Sequence, residues 1–453
     1  MAKQKDEYWA YTSTGDLTAE LMQLEDEGRD LSEFRKKAEA FIALGPDEHI
    51  KPERQAEGAL LLDEAQTLPM RKDYTYNEPS DLAAIRKLRA RGPRKYKKNL
   101  PDKVLRDRLT GAWLGRCIGC LLGKPVEGVK SADLWGFLKL TRQYPLKHYI
   151  RFRTTGKAKK EYPKLAERSA WYDNLNHMPI DDDTNYTLTG HLIVKKHGPN
   201  FTPANVGSFW LGSIPFLATC TAERMAYRNM TQNIMPPASA TFRNTGREWI
   251  GAQIRADAFG YVNAGNPQRA AEFAWRDACI SHVKNGIYGE MLMAAMIAAA
   301  PYATDVLDLL KVGLSEIPRT SRLHADVSEA MGWHRQGLSY DDAVARIHQR
   351  WDENTGHHWV HTNSNAVICT VGLLWGEGDF GTAICRAVQP CFDTDCNGAT
   401  VGSIMGMMLG TAGIGSEWTD KVNNTLKTSL IGYDTVKISD VAEETFKLMK
   451  EIR

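Results

Sequence analysis

The chain has 453 residues, 43% of them hydrophobic, and a formal net charge of +2. This length suits one large domain or two to three average ones, and the hydrophobic share argues against wholesale disorder. A charge so close to neutral argues against general binding to nucleic acid or to a membrane surface.

The sequence carries no sign of export or of membrane insertion. Its first residues, MAKQKDEYWAYTS, lack the apolar core of a signal peptide. No uncharged run approaches the length of about 18 residues that a transmembrane helix needs. The pair Cys117 and Cys120 lies in a helical run of small residues, which predicts buried structural thiols rather than a redox centre. We therefore expect a cytoplasmic protein.

Residues 1–100 are charged and prone to form helices. Apolar residues recur at helical spacing over residues 18–44 and 53–68, which predicts a helical N-terminal extension. Within it, the run 86–98 (RKLRARGPRKYKK) is strongly basic. A solvated helix face or loop is the favoured interpretation of this run, and an anionic partner is the alternative.

The most regular pattern in the chain is a glycine at every fourth position in two separate stretches. In an α-helix this spacing places the glycines in one stripe, at a cost of about 1 kcal/mol per glycine in helix propensity. Such a stripe suits the close approach of a second backbone. We expect the two helices to pack antiparallel, which would bring Glu127 close to Asp393 and Asp395. The alternative is that each ladder fits a gap against an unrelated neighbour. The glycines are Gly111, Gly115, Gly119, Gly123, Gly398, Gly402, Gly406 and Gly410.

The rest of the chain also favours helices over strands. A third helix is predicted over residues 286–300, which are rich in Ala and Met, and we expect it to be central. Segments 130–180 and 225–250 are irregular, so we expect loops that frame a site. Strand signals are sparse, and no glycine fingerprint for a dinucleotide or a phosphate loop is present.

Two groups of carboxylates each precede an apolar, helix-like run. The first is Asp181, Asp182 and Asp183, and the second is Asp393 and Asp395. One Asp at a helix start is explained by capping, because its side chain accepts hydrogen bonds from exposed backbone N–H groups. Five converging acids exceed this need and would repel one another without a cation. Oxygen ligands of this kind suit Mg²⁺ or Mn²⁺, and Ca²⁺ also fits.

Further polar residues stand out in segments that would line a pocket. Gly251, Arg255 and Asp257 lie in one short stretch, and His282 and Asn285 lie in a second, at the start of the predicted third helix. A histidine at a helix start is more often a capping or core residue than a ligand. These residues are nevertheless the candidate substrate contacts.

A cluster of histidines, His357, His358 and His361, lies in the run HHWVHTNSN. The spacing could serve a soft metal ion, but no cysteine or suitable acid accompanies it. We interpret this run as a loop that lines the pocket, with His361, Asn363 and Asn365 as polar contacts.

These motifs, in this order, resemble those of the ADP-ribosylglycohydrolase family. The stretch GAWLGRCIGCLLGKPVE, which ends in Glu127, looks like the opening glycine motif of the family. Asp182-Asp183-Thr184 looks like its T-D-D-T motif, and Asp393-Thr394-Asp395 looks like its G-D-T-D-T motif. The similarity covers residues 105–415, so the N-terminal extension lies outside it.

The resemblance implies an all-α orthogonal helical bundle over residues 101–453 that holds two divalent ions, usually Mg²⁺ or Mn²⁺. In that family the ions hold the ribose diol of an ADP-ribosyl group while water cleaves an N- or O-glycosidic bond. We therefore expect a metal-dependent glycoside hydrolase that acts on an ADP-ribosyl or related riboside substrate. The expected metal ligands are Asp181, Asp182, Asp183, Asp393, Asp395 and Cys396. The expected catalytic residues are Asp183, Asp395 and Glu127, and the expected substrate contacts are Glu127, Gly251, Arg255, Asp257, His282, Asn285 and His361.

Two positions depart from the family pattern. Asp181 stands where the family has the first Thr of T-D-D-T, and Cys396 stands where it has the last Thr of G-D-T-D-T. The first change adds negative charge, and the second replaces a hydroxyl with a thiol, which weakens a site for a hard ion. We expect the two ions to differ in affinity, or one to be lost or shifted. A free sugar or nucleoside is then a plausible substrate.

The expected chemistry needs a base, and Asp183 or Asp395 would take the proton from the attacking water. No Ser–His or Cys–His nucleophile is legible. Two rival functions stay open. One is a non-catalytic or structural member of the same fold. The other is another metal-dependent hydrolase such as a phosphoesterase, for which Arg255 would be the nearest cation. The sequence gives no indication of oligomeric state.

Overall fold

The structure, a computed structural model, describes residues 12–44, 48 and 50–453. It is 63% helical, and its described residues contain one two-stranded antiparallel sheet. The all-α class predicted from the sequence is therefore confirmed. The sheet pairs β1 (Thr425–Lys427) with β2 (Thr435–Lys437).

The helices are given in chain order. They are α1 (Thr14–Asp26), α2 (Phe34–Ile42), α3 (Pro52–Ala65), α4 (Leu82–Leu88), α5 (Asp102–Gly123), α6 (Ser131–Leu140), α7 (Gly156–Glu161), α8 (Pro163–Ala166), α9 (Asp182–His197), α10 (Pro203–Ser213), α11 (Thr221–Thr231), α12 (Ala238–Thr241), α13 (Asp257–Val262), α14 (Pro267–Ala278), α15 (Lys284–Ala299), α16 (Val306–Leu314), α17 (Arg322–Arg335), α18 (Tyr340–Arg350), α19 (Gly356–Val360), α20 (Thr362–Leu374), α21 (Phe380–Val388), α22 (Thr394–Leu409), α23 (Ser416–Val422) and α24 (Ile438–Glu451).

The two glycine-rich helices, α5 and α22, pack against each other along their glycine stripes, as predicted. A Cβ placed on Gly111 would lie 2.5 Å from the carbonyl oxygen of Gly406, and Gly115 faces Gly402 in the same way. Residue numbers rise along one helix and fall along the other, so the pair is antiparallel. Gly410 differs from the other seven glycines because it follows the end of α22 with a φ of +75°.

Helix α15 is a central helix, which confirms the prediction for residues 286–300. From Asn285 to Ala299 every side chain is buried. A helix that is apolar on all sides has no face suited to water, so it lies in the interior of a large core. The α5–α22 pair is buried in the same core.

The first three helices form a small core of their own. Leu17, Leu24, Phe34, Phe41 and Leu62 are buried together in a cluster that is separate from the main core. Helices α1, α2 and α3 confirm the helical pattern of residues 18–44 and 53–68. The extension of residues 1–100 as a separate unit stays a prediction, and residues 1–11 lie outside the described residues.

The contact between α1 and the rest of the protein is ionic and buried. Arg247 donates hydrogen bonds to Glu20 (2.6 Å) and to Glu27 (2.9 Å), and these three side chains are at most 4% exposed. Lys284 pairs with Glu27 at 3.0 Å. Gln23 donates to Glu248 at 2.9 Å. An interface of this kind fixes one docked position, because any other position would leave buried charges unpaired.

Three expectations need correction. Segment 130–180 is not all loop, since α6 buries Leu134, Phe137 and Leu138 at helical spacing. Segment 225–250 begins inside α11. The basic run 86–98 is only partly solvated, because three of its arginines pair with acids of this same chain. The pairs are Arg86 with Glu272, and Arg89 and Arg94 with Glu316.

Cys117 and Cys120 are fully buried in α5 and carry free thiols, as predicted, but the sulfur of Cys120 lies within 4.8 Å of carboxylate oxygens of Asp181 and Asp183. In the part of the chain that the structure describes, no helix combines the length and the apolar character needed to cross a membrane.

Candidate active site and metal centre

The two acidic motifs meet in space. Asp181 caps α9, and its Oδ1 accepts the backbone N–H of Asp183 at 3.0 Å. The thiol of Cys396, in the first turn of α22, lies 3.2 Å from Oδ2 of Asp183. These two residues are 213 positions apart in the sequence. The glycine contact explains the meeting, because it places the start of α22 beside the end of α5.

The remaining acids lie at the same place. Ligand atoms of Asp393, Asp395 and Cys396 are all within 4.8 Å of one another. Glu127 follows the short turn at the end of α5 and is exposed. The pKa of Glu127 is raised chiefly by the nearby charge of Asp395 and also by that of Asp182. The structure thus brings together acids from the end of α5, the start of α9 and the start of α22.

The backbone before α22 is held in an unusual conformation. Cys391 has a φ of +69° and Phe392 a φ of +60°, values that cost residues other than glycine about 1–2 kcal/mol each. The carbonyl of Phe392 accepts a hydrogen bond from the Trp359 indole at 2.7 Å. The N–H of Asp393 donates to Oδ1 of Asn365 at 3.2 Å. These contacts with α19 and α20 stabilise the left-handed backbone conformation of Cys391 and Phe392. They thereby fix the position of Asp393.

Two of the five aspartates have a cation of the protein as partner. Arg116, fully buried in α5, donates to Oδ1 of Asp183 at 2.7 Å and lies 3.3 Å from Asp257. Lys124 forms an ion pair with Oδ2 of Asp181. Neither cation was predicted from the sequence to belong to the site. Arg116 itself was the available signal in the sequence, because it is a charged residue in the middle of the apolar glycine ladder. A charged side chain that is buried there needs an acid as its partner.

The other four carboxylates of the site have no ion pair among the described residues. Burial and then the charge of Asp181 raise the pKa of Asp182 to about 7. Burial and Asp395 raise the pKa of Asp393, and burial and Asp181 raise that of Asp395. Oδ1 of Asp395 is buried without a hydrogen-bond partner. A divalent cation would relieve the repulsion and fill this oxygen, so the residues fit a bound metal ion.

The predicted substrate contacts on the 251–257 stretch are interior residues instead. Arg255 is buried and donates to Glu223 at 2.6 Å and also to Asp277. A side chain on Gly251 would collide with the Glu223 carboxylate. Asp257 is fully buried next to Arg116. These residues reach the acids of the site only through Arg116 and Glu223.

His282 and Asn285 are also interior. His282 is fully buried, and its Nδ1 lies 2.8 Å from the Ser281 hydroxyl. The amide of Asn285 donates to Glu78 at 2.9 Å and to Glu248 at 2.8 Å. Asn285 therefore belongs to the network below α1, whereas His282 is linked through Ser281 to Arg255.

His361 belongs to a cluster with His357 and Asp26, whose ligand atoms all lie within 4.8 Å of one another. His357 and His361 both direct Nε2 at Oδ2 of Asp26, at 3.1 and 3.9 Å. Nδ1 of His357 accepts the Trp249 indole N–H, and Nδ1 of His361 accepts the Asn363 backbone N–H. In a neutral imidazole the other nitrogen must then carry the hydrogen. Nε2–H of His357 therefore donates to Asp26, whereas Nε2 of His361 is buried without a hydrogen-bond partner in the described part of the chain.

Two further residues border the acidic site and were missed by the sequence analysis. Ile180, directly before Asp181, is 51% exposed. Cys220 is the exposed one of the eight cysteines. Burial and then the charge of Asp182 raise the pKa of the Cys220 thiol. The effect of Asp182 indicates that this thiol lies beside the acids. Solvent therefore reaches the site past an apolar residue and a thiol.

The chain is similar to one protein family over most of its length. A family model described as ADP-ribosylglycohydrolase matches residues 101–452. A solved structure titled "ADP-ribosylglycohydrolase-related protein complex" is 17% identical, with a TM-score of 0.45, and the match covers 78% of this chain and 100% of that one. No curated protein matches the chain. Because the family model spans most of the chain and all of the acids above, the chain belongs to the ADP-ribosylglycohydrolase family.

Proposed function

We propose that the protein is a metal-dependent glycoside hydrolase that cleaves the N- or O-glycosidic bond of an ADP-ribosyl or related riboside substrate. Family membership supports a glycohydrolase-type activity. The observation that carries the proposal is the meeting of Asp182, Asp393, Asp395 and Glu127, which have no direct ion pair among the described residues, and one buried oxygen of Asp395 has no hydrogen-bond partner.

The residues that would hold Mg²⁺ or Mn²⁺ are Asp182, Asp393 and Asp395, with Glu127 at the open side. When bound, such an ion supplies orientation and charge stabilisation for a sugar bearing vicinal hydroxyls. Asp181 and Asp183 would act mainly by position, because each is tied to a cation of the protein.

Asp395 is the better choice for the base that takes a proton from water. Both oxygens of Asp183 are engaged, Oδ1 with Arg116 and Oδ2 with Cys396. Asp395 has no ion pair with a cation in the part of the chain that the structure describes, and its oxygen that does not bind the ion would accept the proton. Exposed Glu127 lies close to Asp395 and is suited to contact the sugar or the leaving group.

The test compares the parent protein with Asp393→Asn. We expect release of the sugar from ADP-ribosylated peptide or from a nucleoside in the presence of Mn²⁺, and loss of this release with EDTA. Asp393→Asn should lower turnover by at least about 100-fold, since a ligand of the ions is lost. Asp420→Asn, at an exposed aspartate of α23, is the matched control. Normal turnover by a folded Asp393→Asn protein would refute the proposal.

The alternative is a non-catalytic member of the same fold. Two observations favour it, the ion pair that occupies Asp181 and the thiol at Cys396. Calorimetric titration with Mn²⁺ and Mg²⁺ separates the two functions. Binding of either ion together with turnover supports the hydrolase, and a folded protein that binds no divalent ion supports the inert scaffold.

A further inference from the structure

Cys396 lies where the apolar core borders the acidic site. Its side chain is only 6% exposed. Its sulfur lies 3.2 Å from Oδ2 of Asp183 and within 4.8 Å of carboxylate oxygens of Asp393 and Asp395.

The spacing suits a shared ion. Around a tetrahedral Zn²⁺, with Zn–S of about 2.3 Å and Zn–O of about 2.1 Å, sulfur and oxygen ligands lie about 3.6 Å apart. Ligand atoms of Cys396, Asp393 and Asp395 lie within 4.8 Å of one another, so one ion would bind all three after they contract to this spacing. A second, independent observation points the same way, since Oδ1 of Asp395 in this group is buried and unpartnered.

We propose that the Cys396 side of the site binds a thiophilic divalent ion of the Zn²⁺ class, with Asp393 and Asp395 as its oxygen ligands. Thiolate is a soft ligand that Zn²⁺ and Cd²⁺ accept and that Mg²⁺ and Ca²⁺ avoid. The all-oxygen side, with Asp182 and Glu127, keeps the preference for Mg²⁺ or Mn²⁺. The inference rests on the proposed function, which requires an ion site. It adds that the Cys396 side of this site selects an ion of the Zn²⁺ class.

The binding step has a defined proton balance. The S–H bond of Cys396 breaks, a sulfur–metal bond forms, and the proton leaves to solvent, with Oδ2 of Asp183 as its first acceptor. Binding of Zn²⁺ therefore releases one proton from the thiol that binding of Mg²⁺ does not release. This difference can be measured in the parent protein without any substitution in the site.

The experiment uses Cd²⁺ as a spectroscopic probe, because a Cd²⁺–thiolate bond has an ultraviolet charge-transfer absorption. All proteins carry Cys220→Ser, which removes the exposed thiol. We expect one equivalent of Cd²⁺ to produce the absorption and excess Mg²⁺ not to abolish it. Cys396→Thr should lose the absorption and bind Zn²⁺ about 10- to 100-fold more weakly, while its Mg²⁺ affinity is kept or improved. Proton release by Zn²⁺ is followed in weakly buffered solution.

Cys391→Ser is the matched control, because this thiol is also buried near the start of α22 but contacts the carbonyl of Gln389. It should keep the absorption. The inference is overturned if Cd²⁺ gives no thiolate absorption, if the absorption persists in Cys396→Thr, or if Zn²⁺ and Mg²⁺ release equal numbers of protons. In those cases binding of Mn²⁺ and turnover leave the proposed function intact, whereas failure to bind any divalent ion overturns both.

Discussion

Gly119 and Gly398 face each other across the contact between α5 and α22, and a Cβ on either would come within 3.0 Å of the carbonyl oxygen of the other. Real Cβ atoms do not approach backbone this closely, so the two helix backbones touch. This contact fixes the position of the start of α22 relative to the end of α5, although the two are far apart in the sequence. The acids of the site lie at that junction.

The first prediction concerns this contact. Gly119→Ala should lower the free energy of unfolding by about 3 kcal/mol or more, since its methyl group forces two fixed backbones apart. Gly332→Ala is the control, because a Cβ there meets only the end of the Arg335 side chain at 4.0 Å. That change should be neutral or stabilise by up to about 1 kcal/mol. Urea denaturation measures both, and equal effects would contradict the close backbone contact.

The second prediction concerns the docking of α1. Arg247→Met leaves Glu20 and Glu27 buried without their main partner, and it should cost about 3–5 kcal/mol of stability. Arg243→Met is the control at the same interface, where Arg243 pairs with Asp63 at 2.7 Å with both side chains at least 30% exposed. Its cost should stay below about 1 kcal/mol. A similar loss for both variants in thermal and urea unfolding would speak against burial as the deciding factor.

The third prediction concerns Lys124, which forms an ion pair with Asp181 at the edge of the site. Lys124→Met removes a positive charge that repels a bound ion, so Mn²⁺ should bind about tenfold more tightly by a Coulomb estimate. Lys130→Met is the control, because that ammonium donates to the carbonyl of Glu353 instead. Isothermal titration calorimetry gives both affinities. Unchanged or weaker binding by Lys124→Met would show that Lys124 is not beside the ion.

The fourth prediction is a pH dependence away from the site. Burial raises the pKa of Asp326 to about 6, although Arg350 and Asn363 bond to its carboxylate. Between pH 4 and pH 6 the folded protein then holds a proton that the unfolded chain has lost, so stability should fall as pH rises. The full contribution is about 3 kcal/mol.

Asp326→Asn tests this sign directly. The variant has no proton to lose, so its free energy of unfolding should decline less than that of the parent protein between pH 4 and pH 6. Urea denaturation at several pH values gives the two slopes. Identical slopes, or a parent protein whose stability rises over this range through Asp326, would contradict the assignment.

The contact between α5 and α22 could be predicted from the sequence because its cause is local and periodic. Every fourth residue is a glycine, and this spacing has one main geometric meaning in a helix. The start of α9 and the start of α22 could be located for the same reason, since Asp181 and Asp393 precede apolar runs. Once the antiparallel pair was inferred, the nearness of Glu127 to Asp395 followed.

The partners of the polar residues could not be predicted in this way. Arg255 has the appearance of a substrate-binding cation in the sequence, yet Glu223 and Asp277 bind it in the interior. These acids are 32 and 22 positions away from it. No spacing rule connects residues that meet only through tertiary packing. His361 illustrates the same difficulty, since its acidic partner, Asp26, lies in α1.

The ion pairs between the α1 region and the rest of the protein limit where the chain can be truncated. Residues 101–452 match the family, but Arg247 and Lys284 within them receive their counter-charges from Glu20 and Glu27. A fragment trimmed to the matched region would lose the acids that pair with these two cations. Helix α1 is thus an integral part of the folded protein. It should be expressed and engineered together with residues 101–452.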